Sequence, residues 1–472
     1  MSRSDHGESM ASDHPAYEPV RGSLRHAPFF AALATLAGHE GQREWRSLLA
    51  GLVTLRLADR RFGSPGERVV PVPLAVTQAE PPCVPPDAIN AARAAVRDVD
   101  DREVVAAPLW GLLHSASDPT ASDIPQQLLG YGNALHADSR WPLAADVYRT
   151  VLQFADRPDA SATPTIQPFV PYTYDRLGRS LRMMGDLDGA RAAYQAGCSA
   201  ARILGDDYAE QLIQISQAKI LMHLGNLPAA AVALDAIITN ASTGRVRAPR
   251  TSPGPDGRPA YPNVLALAHH DRGVVASRLN DFNSAAEHYY AAWRGYRDPV
   301  RRERACADFA QSLADMGRFD AARDPLLILY ATAHRREIQL IAATNLLEIA
   351  VIEQREDDFE SYRRSLHQAS RAGILPAEVA AKFALYEGRG EMRFGRPGAA
   401  AVAFEQALTL AASHGVHEVT IRADEALAEL RSQRPVQDWF PPIMAATMSR
   451  SVEHITRVVR RVRRRTAAPR HG

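Results

Sequence analysis

The chain has 472 residues, of which 46% are hydrophobic, so it is long enough to bury a large core in one repeat array or in an array with a smaller domain. Its 55 basic and 54 acidic residues nearly cancel, which excludes a global field that would draw the whole protein to nucleic acid. The three cysteines, Cys83, Cys198 and Cys306, form neither a disulfide framework nor a metal motif and indicate a reducing compartment. Cys306 is predicted to be a small buried apolar residue.

The N-terminal part is predicted to be a polar leader followed by helices. Residues 1–26 are rich in Ser, Asp and His and are expected to be disordered. Residues 27–120 are interpreted as a helical extension, in which Trp45, Leu48, Leu49 and Leu52 have the spacing of a helix buried on one side. We expect these helices to cap the first unit of the array that follows, because an exposed apolar end would aggregate.

Other parts of this extension carry weaker patterns. Residues 69–77 are at best an edge strand, and the proline pairs at 81 and 85 indicate an extended linker. Residues 88–96 and 103–114 are predicted to be two short helices.

A targeting segment is not expected. The best candidate is the apolar stretch 27–38, which follows a polar leader with several acidic residues, whereas a signal peptide has a short positive start. It is also shorter than the roughly 20 residues that a membrane-spanning helix needs. The predicted location is therefore cytoplasmic.

A pattern of small and large apolar residues recurs seven times between residues 121 and 431. In each copy a small residue lies in a first helix and a turn follows. In six of the seven copies an alanine in a second helix then precedes a bulky residue by four positions. The clearest copy has Gly178, Gly185, Ala190 and Tyr194 at these places. Small residues let two antiparallel helices approach closely, and the bulky residue fills the seam. Alignment places the turns at Ser139, Gly185, Gly225, Asn280, Gly317, Asp357 and Gly395.

The copy around Asp357 departs from this pattern. Tyr362 stands where alanine is expected, so this helix pair is predicted to be splayed or shifted. Two inter-repeat segments, 157–171 and 241–262, are rich in proline and are expected to project as loops.

The pattern resembles the tetratricopeptide repeat (TPR), and in particular the longer-period TPR arrays of bacterial signalling and regulatory proteins. The resemblance implies an all-α, right-handed solenoid of about seven helix-turn-helix units, with a helical N-terminal extension and a basic C-terminal helix. It also implies a scaffold for protein–protein interaction that carries no chemistry of its own.

Motifs of the common enzyme classes are missing. A Walker A loop needs a lysine after glycine, and the only two lysines, Lys219 and Lys382, both follow alanine. H-E-x-x-H, C-x-x-C and G-x-S-x-G are absent from the sequence. We therefore expect no enzyme activity, no cofactor and no metal. His414 and His417 are interpreted as flanking an inter-repeat turn, and the remaining enzyme hypothesis, a site within the N-terminal 120 residues, has no motif to support it.

The family resemblance assigns fixed first-helix positions to a concave groove, and basic residues predominate there. Two of these positions are acidic, Asp175 and Asp315. The nine basic ones are Arg179, Arg182, Lys219, Arg278, Arg304, Arg355, Lys382, Arg389 and Arg393. The predicted ligand is an acidic or extended peptide of a protein partner. The alternative is that arginine is frequent at solvated positions of an arginine-rich chain. A chaperone-tail clamp is not favoured, because Asn133 is present but Leu129 replaces the lysine.

Residues 432–472 are predicted to form a proline-containing linker and a basic amphipathic helix. Met448, Val452, Ile455, Val459 and Val462 form a heptad stripe. Arginines fill the other face: Arg457, Arg460, Arg461, Arg463, Arg464 and Arg465. Three interpretations remain open: a cap that closes the last repeat, a helix on an anionic membrane surface, and a contact with nucleic acid. The alternative to a scaffold is thus a regulator whose array senses a ligand and whose C-terminal helix contacts DNA or a membrane surface.

Overall fold

The computed structural model describes residues 26–36, 48, 50–55, 106–117, 124–155, 167–243, 263–414, 416–432 and 445–467. Within these ranges all regular elements are helical and no strand occurs, which confirms the predicted all-α class. The leader up to residue 25, the edge strand at 69–77, the proline linker, the helix at 88–96 and most of the two inter-repeat loops lie outside the described residues. Among the described helices, none has the length and apolarity that crossing a membrane requires.

The chain divides into two compact units, residues 1–224 and 225–472. The described α-helices of the first unit are α1 (Ala27–Leu36), α2 (Ala106–Ser117), α3 (Ile124–Ala137), α4 (Trp141–Ala155), α5 (Val170–Met183), α6 (Leu187–Leu204) and α7 (Asp207–His223). Those of the second unit are α8 (Leu227–Ser242), α9 (Val264–Arg278), α10 (Phe282–Gly295), α11 (Pro299–Asp315), α12 (Phe319–Thr332), α13 (Arg336–Ile352), α14 (Glu356–Arg371), α15 (Ala377–Arg393), α16 (Pro397–His414), α17 (His417–Arg431) and α18 (Arg450–Ala467). In each unit, helices pack mainly on their sequence neighbours, which is consistent with an α-solenoid.

The N-terminal helices cover the first helix pair of the first unit, as predicted. Helix α1 packs against α4 and α2 packs against α3, and Phe29 and Leu112 are fully buried there. His26, assigned by the sequence to a disordered leader, is also buried, with its Nδ1 atom 2.8 Å from Oδ2 of Asp146.

The predicted N-terminal helix stripe is described only in part. Leu48 and Leu52 are buried in the same apolar core, whereas Trp45 and Leu49 lie outside the described residues. Cys306 is buried in the core of the second unit, and burial raises the pKa of its thiol, so its predicted apolar role is confirmed.

The small-to-large seams predicted from the repeat pattern are present. A Cβ atom added at Gly388 would lie 2.5 Å from Cε1 of Phe404, closer than real Cβ contacts occur. The aromatic ring therefore occupies the space that the missing side chain leaves, and this close approach holds the two helices together. The same arrangement joins Gly132 to Tyr148, Gly178 to Tyr194 and Gly273 to Tyr289.

Six of the seven aligned turn residues have the left-handed backbone conformation, with φ between 59° at Asn280 and 85° at Gly185. The seventh alignment is wrong, because Asp357 lies inside α14 and the left-handed residue is Gln354, with φ of 56°. Moving this turn by three residues puts Leu347 and Phe359 at the positions of the small residue and the alanine. The unit does depart from the pattern, and Phe359 is fully buried in close contact with the position of Gly390 on α15.

The C-terminal helix folds back onto earlier helices of the second unit. Helix α18 packs against α10 and α12, which are the second helices of their pairs. The interpretation of this helix as a cap that closes the last repeat is therefore wrong. The apolar stripe of α18 predicts that this side of the helix is buried. It does not specify which of the other helices buries it.

Candidate functional site

The helices of the second unit present two different sides. Helix α11 contacts α13, α13 contacts α15, and α15 contacts α17, so first helices of successive pairs adjoin and form what we term the first-helix face. The second helices α10 and α12 contact α18 and form the second-helix face. Four of the predicted groove residues lie on helices of the first-helix face: Arg304, Lys382, Arg389 and Arg393. The predicted basic tail lies on α18, which covers the second-helix face.

Three of the nine predicted groove residues lie in the first unit: Arg179, Arg182 and Lys219. Arg179 pairs with the buried Asp175 at 2.9 Å, and Ser216 donates a hydrogen bond of 2.6 Å to the same carboxylate. Arg182 lies 2.7 Å from Nε2 of His223, and Lys219 is half-buried on α7. Arg179 and Arg182 are therefore held by neighbours within the unit.

The other six lie in the second unit: Arg278, Arg304, Arg355, Lys382, Arg389 and Arg393. Arg278 at the end of α9 and Arg304 near the start of α11 are exposed. Lys382 lies 2.9 Å from Glu378, one helical turn earlier, and Arg393 is half-buried. The exposed pair on α9 and α11 is thus the most accessible part of the predicted basic lining.

Arg355 does not occupy the predicted groove position. It precedes α14 directly, beyond the turn at Gln354, and pairs with Glu353 at 2.7 Å and with Asp358. Because the turn lies three residues earlier than the alignment put it, the groove position equivalent to Arg389 is Glu348. The position that had been assigned to Arg355 is taken by Ile352, so this unit contributes an acidic residue to the groove positions and no basic one.

Glu348 is the centre of a cluster on three first helices. Its carboxylate lies 3.6 Å from Arg389 of α15 and 3.7 Å from Arg422 of α17, and it also forms a hydrogen bond with the hydroxyl of Tyr386. The guanidinium of Arg422 lies 5.9 Å from the centroid of the Tyr386 ring. Burial raises the pKa of Glu348, although both arginines act in the opposite direction. Burial also disfavours the charged form of Arg389 and therefore lowers its pKa.

Sequence reasoning missed Glu348 and Arg422 for different reasons. Glu348 was not counted among the groove positions because the turn of its unit was misplaced. The left-handed residue of that turn is Gln354, whereas such residues are usually glycine or asparagine. Arg422 lies on α17, after the last recognised repeat. As a result the first-helix face carries more acidic charge than predicted, but arginines still recur along it from α11 to α17.

The apolar stripe of the C-terminal helix is buried against the second-helix face. Val452 and Val459 are almost fully buried and Ile455 is 7% exposed, while Val462 at the end of the stripe is exposed. These side chains belong to the same core as the helices that they contact. The predicted heptad stripe thus packs within the chain.

Polar contacts fix the same docking. The buried carboxylate of Asp324 on α12 pairs with Arg460 at 2.9 Å and with Arg463 at 3.1 Å. At the other end, Asn283 on α10 accepts a hydrogen bond of 2.8 Å from the backbone N–H of Ser449. Two of the predicted tail arginines therefore attach the helix to the unit.

Three of the remaining predicted tail arginines face away from the unit. Arg457, Arg461 and Arg464 are exposed, whereas the side chain of Arg465 lies outside the described residues. No group of three or more His, Cys, Asp or Glu side chains that could hold a metal ion occurs within the ranges that the structure describes. His414 ends α16 and His417 begins α17, which places both residues at an inter-helix junction as predicted.

No protein-family model matches the chain, and no curated protein matches it either. The resemblance to TPR arrays therefore rests on the glycine-to-aromatic seams and on the left-handed turns. Both are properties of helix pairing and do not specify a partner.

Proposed function

We propose that the protein is a non-enzymatic TPR-type scaffold of the bacterial cytoplasm that captures an acidic or extended peptide segment on the first-helix face of its second unit. The observation that carries this proposal is the arrangement of arginines on that face. Arg304 lies on α11, Arg389 on α15 and Arg422 on α17, while the C-terminal helix occupies the second-helix face. A row of arginines across adjoining helices suits a ligand that runs across the array.

The chemistry of the Glu348 cluster supports the same proposal. Arg389 and Arg422 share this carboxylate at 3.6 and 3.7 Å, whereas a charge-assisted hydrogen bond is about 2.7–2.9 Å long. A guanidinium has five N–H donors, so Arg389 can bind a second carboxylate, and Arg422, which also pairs with Glu418 at 3.4 Å, can bind a third. A peptide carboxylate placed between the two arginines would contact two cations. The third group there is Glu348, whose pKa is raised by burial, so it is more easily protonated than an exposed glutamate.

The test uses Arg304 of the face and the exposed Arg278 at the end of α9, so that the Glu348 cluster stays intact. We expect Arg278→Glu with Arg304→Glu to weaken binding of a fluorescein-labelled oligoglutamate peptide, measured by fluorescence anisotropy, by about tenfold or more, because reversal replaces attraction with repulsion. The matched control is Arg364→Glu with Arg371→Glu, two exposed arginines on the second helix α14. Equal peptide affinity in the wild type and both variants would contradict the proposal.

A second candidate function is a regulator whose array senses a ligand and whose C-terminal helix contacts DNA or an anionic membrane surface. The outward arginines of α18 favour it. This function does not compete with peptide capture, since it uses the second-helix side of the unit.

A further inference from the structure

Helix α18 carries two stripes on opposite sides. The buried stripe is formed by Val452, Ile455 and Val459. Arg450, His454, Arg457, Arg461 and Arg464 repeat the same alternating spacing of four and three residues, shifted by two positions, and all five are exposed. Two residues of an α-helix turn by about 200°, so this second stripe points directly away from the unit. We term these five residues the arginine ridge.

We propose that the arginine ridge binds the sugar–phosphate backbone of double-stranded nucleic acid without reading its sequence. The inference deepens the second candidate function by naming its partner, and it is independent of peptide capture on the first-helix face. It requires the helix to remain docked, because only then does the ridge stand out from the unit as one straight row.

The docked position argues against a membrane surface as the partner. A helix that lies on a bilayer inserts its apolar face between the lipids. In α18 that face is buried against α10 and α12, and Asp324 holds Arg460 and Arg463 beside it. Membrane binding would first require the helix to leave this surface and to abandon both ion pairs.

The composition of the ridge argues against a folded protein as the partner. Stable protein interfaces have an apolar or aromatic centre, and the ridge has neither. Contacts with phosphates need only charge and donors of hydrogen bonds, and arginine supplies both. Glu453 beside the ridge is the one acidic residue of α18.

The dimensions also fit a duplex. At a rise of about 1.5 Å per residue, Arg450 and Arg464 lie roughly 21 Å apart along the helix. Duplex DNA carries one charge per about 1.7 Å of its axis, so all four arginines can reach phosphates at once. Four such contacts predict a slope near about −3.6 when the logarithm of the association constant is plotted against the logarithm of the salt concentration.

The experiment measures anisotropy of a fluorescein-labelled DNA duplex with the full-length protein over a series of KCl concentrations. In the variant Arg457→Gln with Arg464→Gln, we expect the slope to become shallower by about 2 and the affinity at about 0.1 M salt to fall by tenfold or more. A duplex of scrambled sequence should bind equally well. Thermal unfolding should be unchanged, because exposed charges contribute little to stability.

The matched control is Arg364→Gln with Arg371→Gln on α14, which removes two exposed arginines at the same spacing of seven residues. Like Arg457, each donates from Nε to the backbone carbonyl four residues earlier. The control should bind duplex as the wild type does. An equal loss in the two variants, or an unchanged slope in Arg457→Gln with Arg464→Gln, would overturn the proposal.

Two further measurements separate this inference from its alternatives. Binding to vesicles that contain anionic lipid, without binding to duplex, would overturn it in favour of a membrane surface. The variant Arg278→Glu with Arg304→Glu should keep its duplex affinity, and Arg457→Gln with Arg464→Gln should keep its affinity for the oligoglutamate peptide. Failure of one proposal can therefore be told from failure of the other.

Discussion

At the scale of single residues, the fold depends on glycines that leave room for an aromatic ring. Gly388 on α15 faces Phe404 on α16 so closely that even one added carbon would collide with the ring. Gly398 on α16 has no atom within 4 Å of an added Cβ. The two glycines thus lie in one helix pair and differ in the space around them.

We predict that Gly388→Ala lowers stability by about 1–3 kcal/mol, because the ring of Phe404 must move or the helices must separate. Gly398→Ala should instead raise stability by up to about 1 kcal/mol, because alanine restricts the unfolded chain and favours a helix. Thermal unfolding followed by circular dichroism measures both changes. A melting temperature of Gly388→Ala equal to or above that of the wild type would show that the seam tolerates a larger residue.

A pair of histidines gives a pH dependence at the same scale. His269 Nδ1 lies 2.9 Å from His288 Nδ1, and burial, followed by the charges of His269 and Arg272, lowers the pKa of His288 to about 4. Burial also lowers the pKa of His269, although Asp235 opposes this. Both rings are therefore neutral in the folded protein at pH 7.

Because these pKa values are lower in the folded than in the unfolded chain, the unfolded state binds more protons below about pH 6.5. The stability that the neutral rings contribute is complete above that pH and is lost as the pH falls toward 4. For His288 we expect a loss of about 1–2 kcal/mol, after allowing for solvent around this partly exposed ring. Urea unfolding of the wild type and of His288→Gln from pH 7 to pH 4 tests this, and a stability difference that stays constant would contradict it.

At the scale of elements, the docking of α18 is the main finding. Removal of the chain from Arg450 onward would uncover the apolar surface of α10 and α12, so a truncation cannot separate binding by the tail from loss of solubility. Point substitutions on one side of the helix avoid this difficulty. The buried and exposed sides of α18 provide a direct comparison.

We predict that Ile455→Asp releases α18 from the second-helix face. The substitution forfeits about 1.5–3 kcal/mol of apolar burial and places a charge against an apolar surface. The released helix is rich in arginine, so trypsin should cleave it at least tenfold faster than in the wild type. His454→Asp, which adds the same charge on the exposed side, is the control. Equal cleavage rates in the two variants would show that the apolar contact does not hold the helix.

At the scale of the whole molecule, charge is unevenly distributed although the total is close to zero. The segment from Arg450 onward holds eight arginines and one glutamate, whereas the complete chain has a net charge of +1. The ridge on α18 and the row of arginines from α11 to α17 use different sides of the second unit. Electrostatic screening acts over about 8 Å at physiological salt, so we expect the ligands proposed for the two surfaces to bind almost independently of each other.

The sequence by itself determined the helical class, the glycine-to-aromatic seams and six of the seven turns. These features depend on contacts between residues close in the chain. A turn with glycine or asparagine, or a heptad stripe, can therefore be recognised from the local sequence alone. The capping role of the N-terminal helices also follows locally, because they directly precede the helix pair that they cover.

Only the tertiary structure decided where α18 docks, which of its arginines pair with Asp324, and that Glu348 belongs to the groove positions whereas Arg355 does not. The apolar stripe of α18 indicates that one side of the helix is buried. The surface that buries it belongs to helices more than a hundred residues earlier, and the fit depends on their shape and charge. The turn at Gln354 likewise has neither glycine nor asparagine at its left-handed residue, so only the structure locates it. Local pattern specifies the elements, and the contacts between distant residues specify the surfaces that these elements leave exposed.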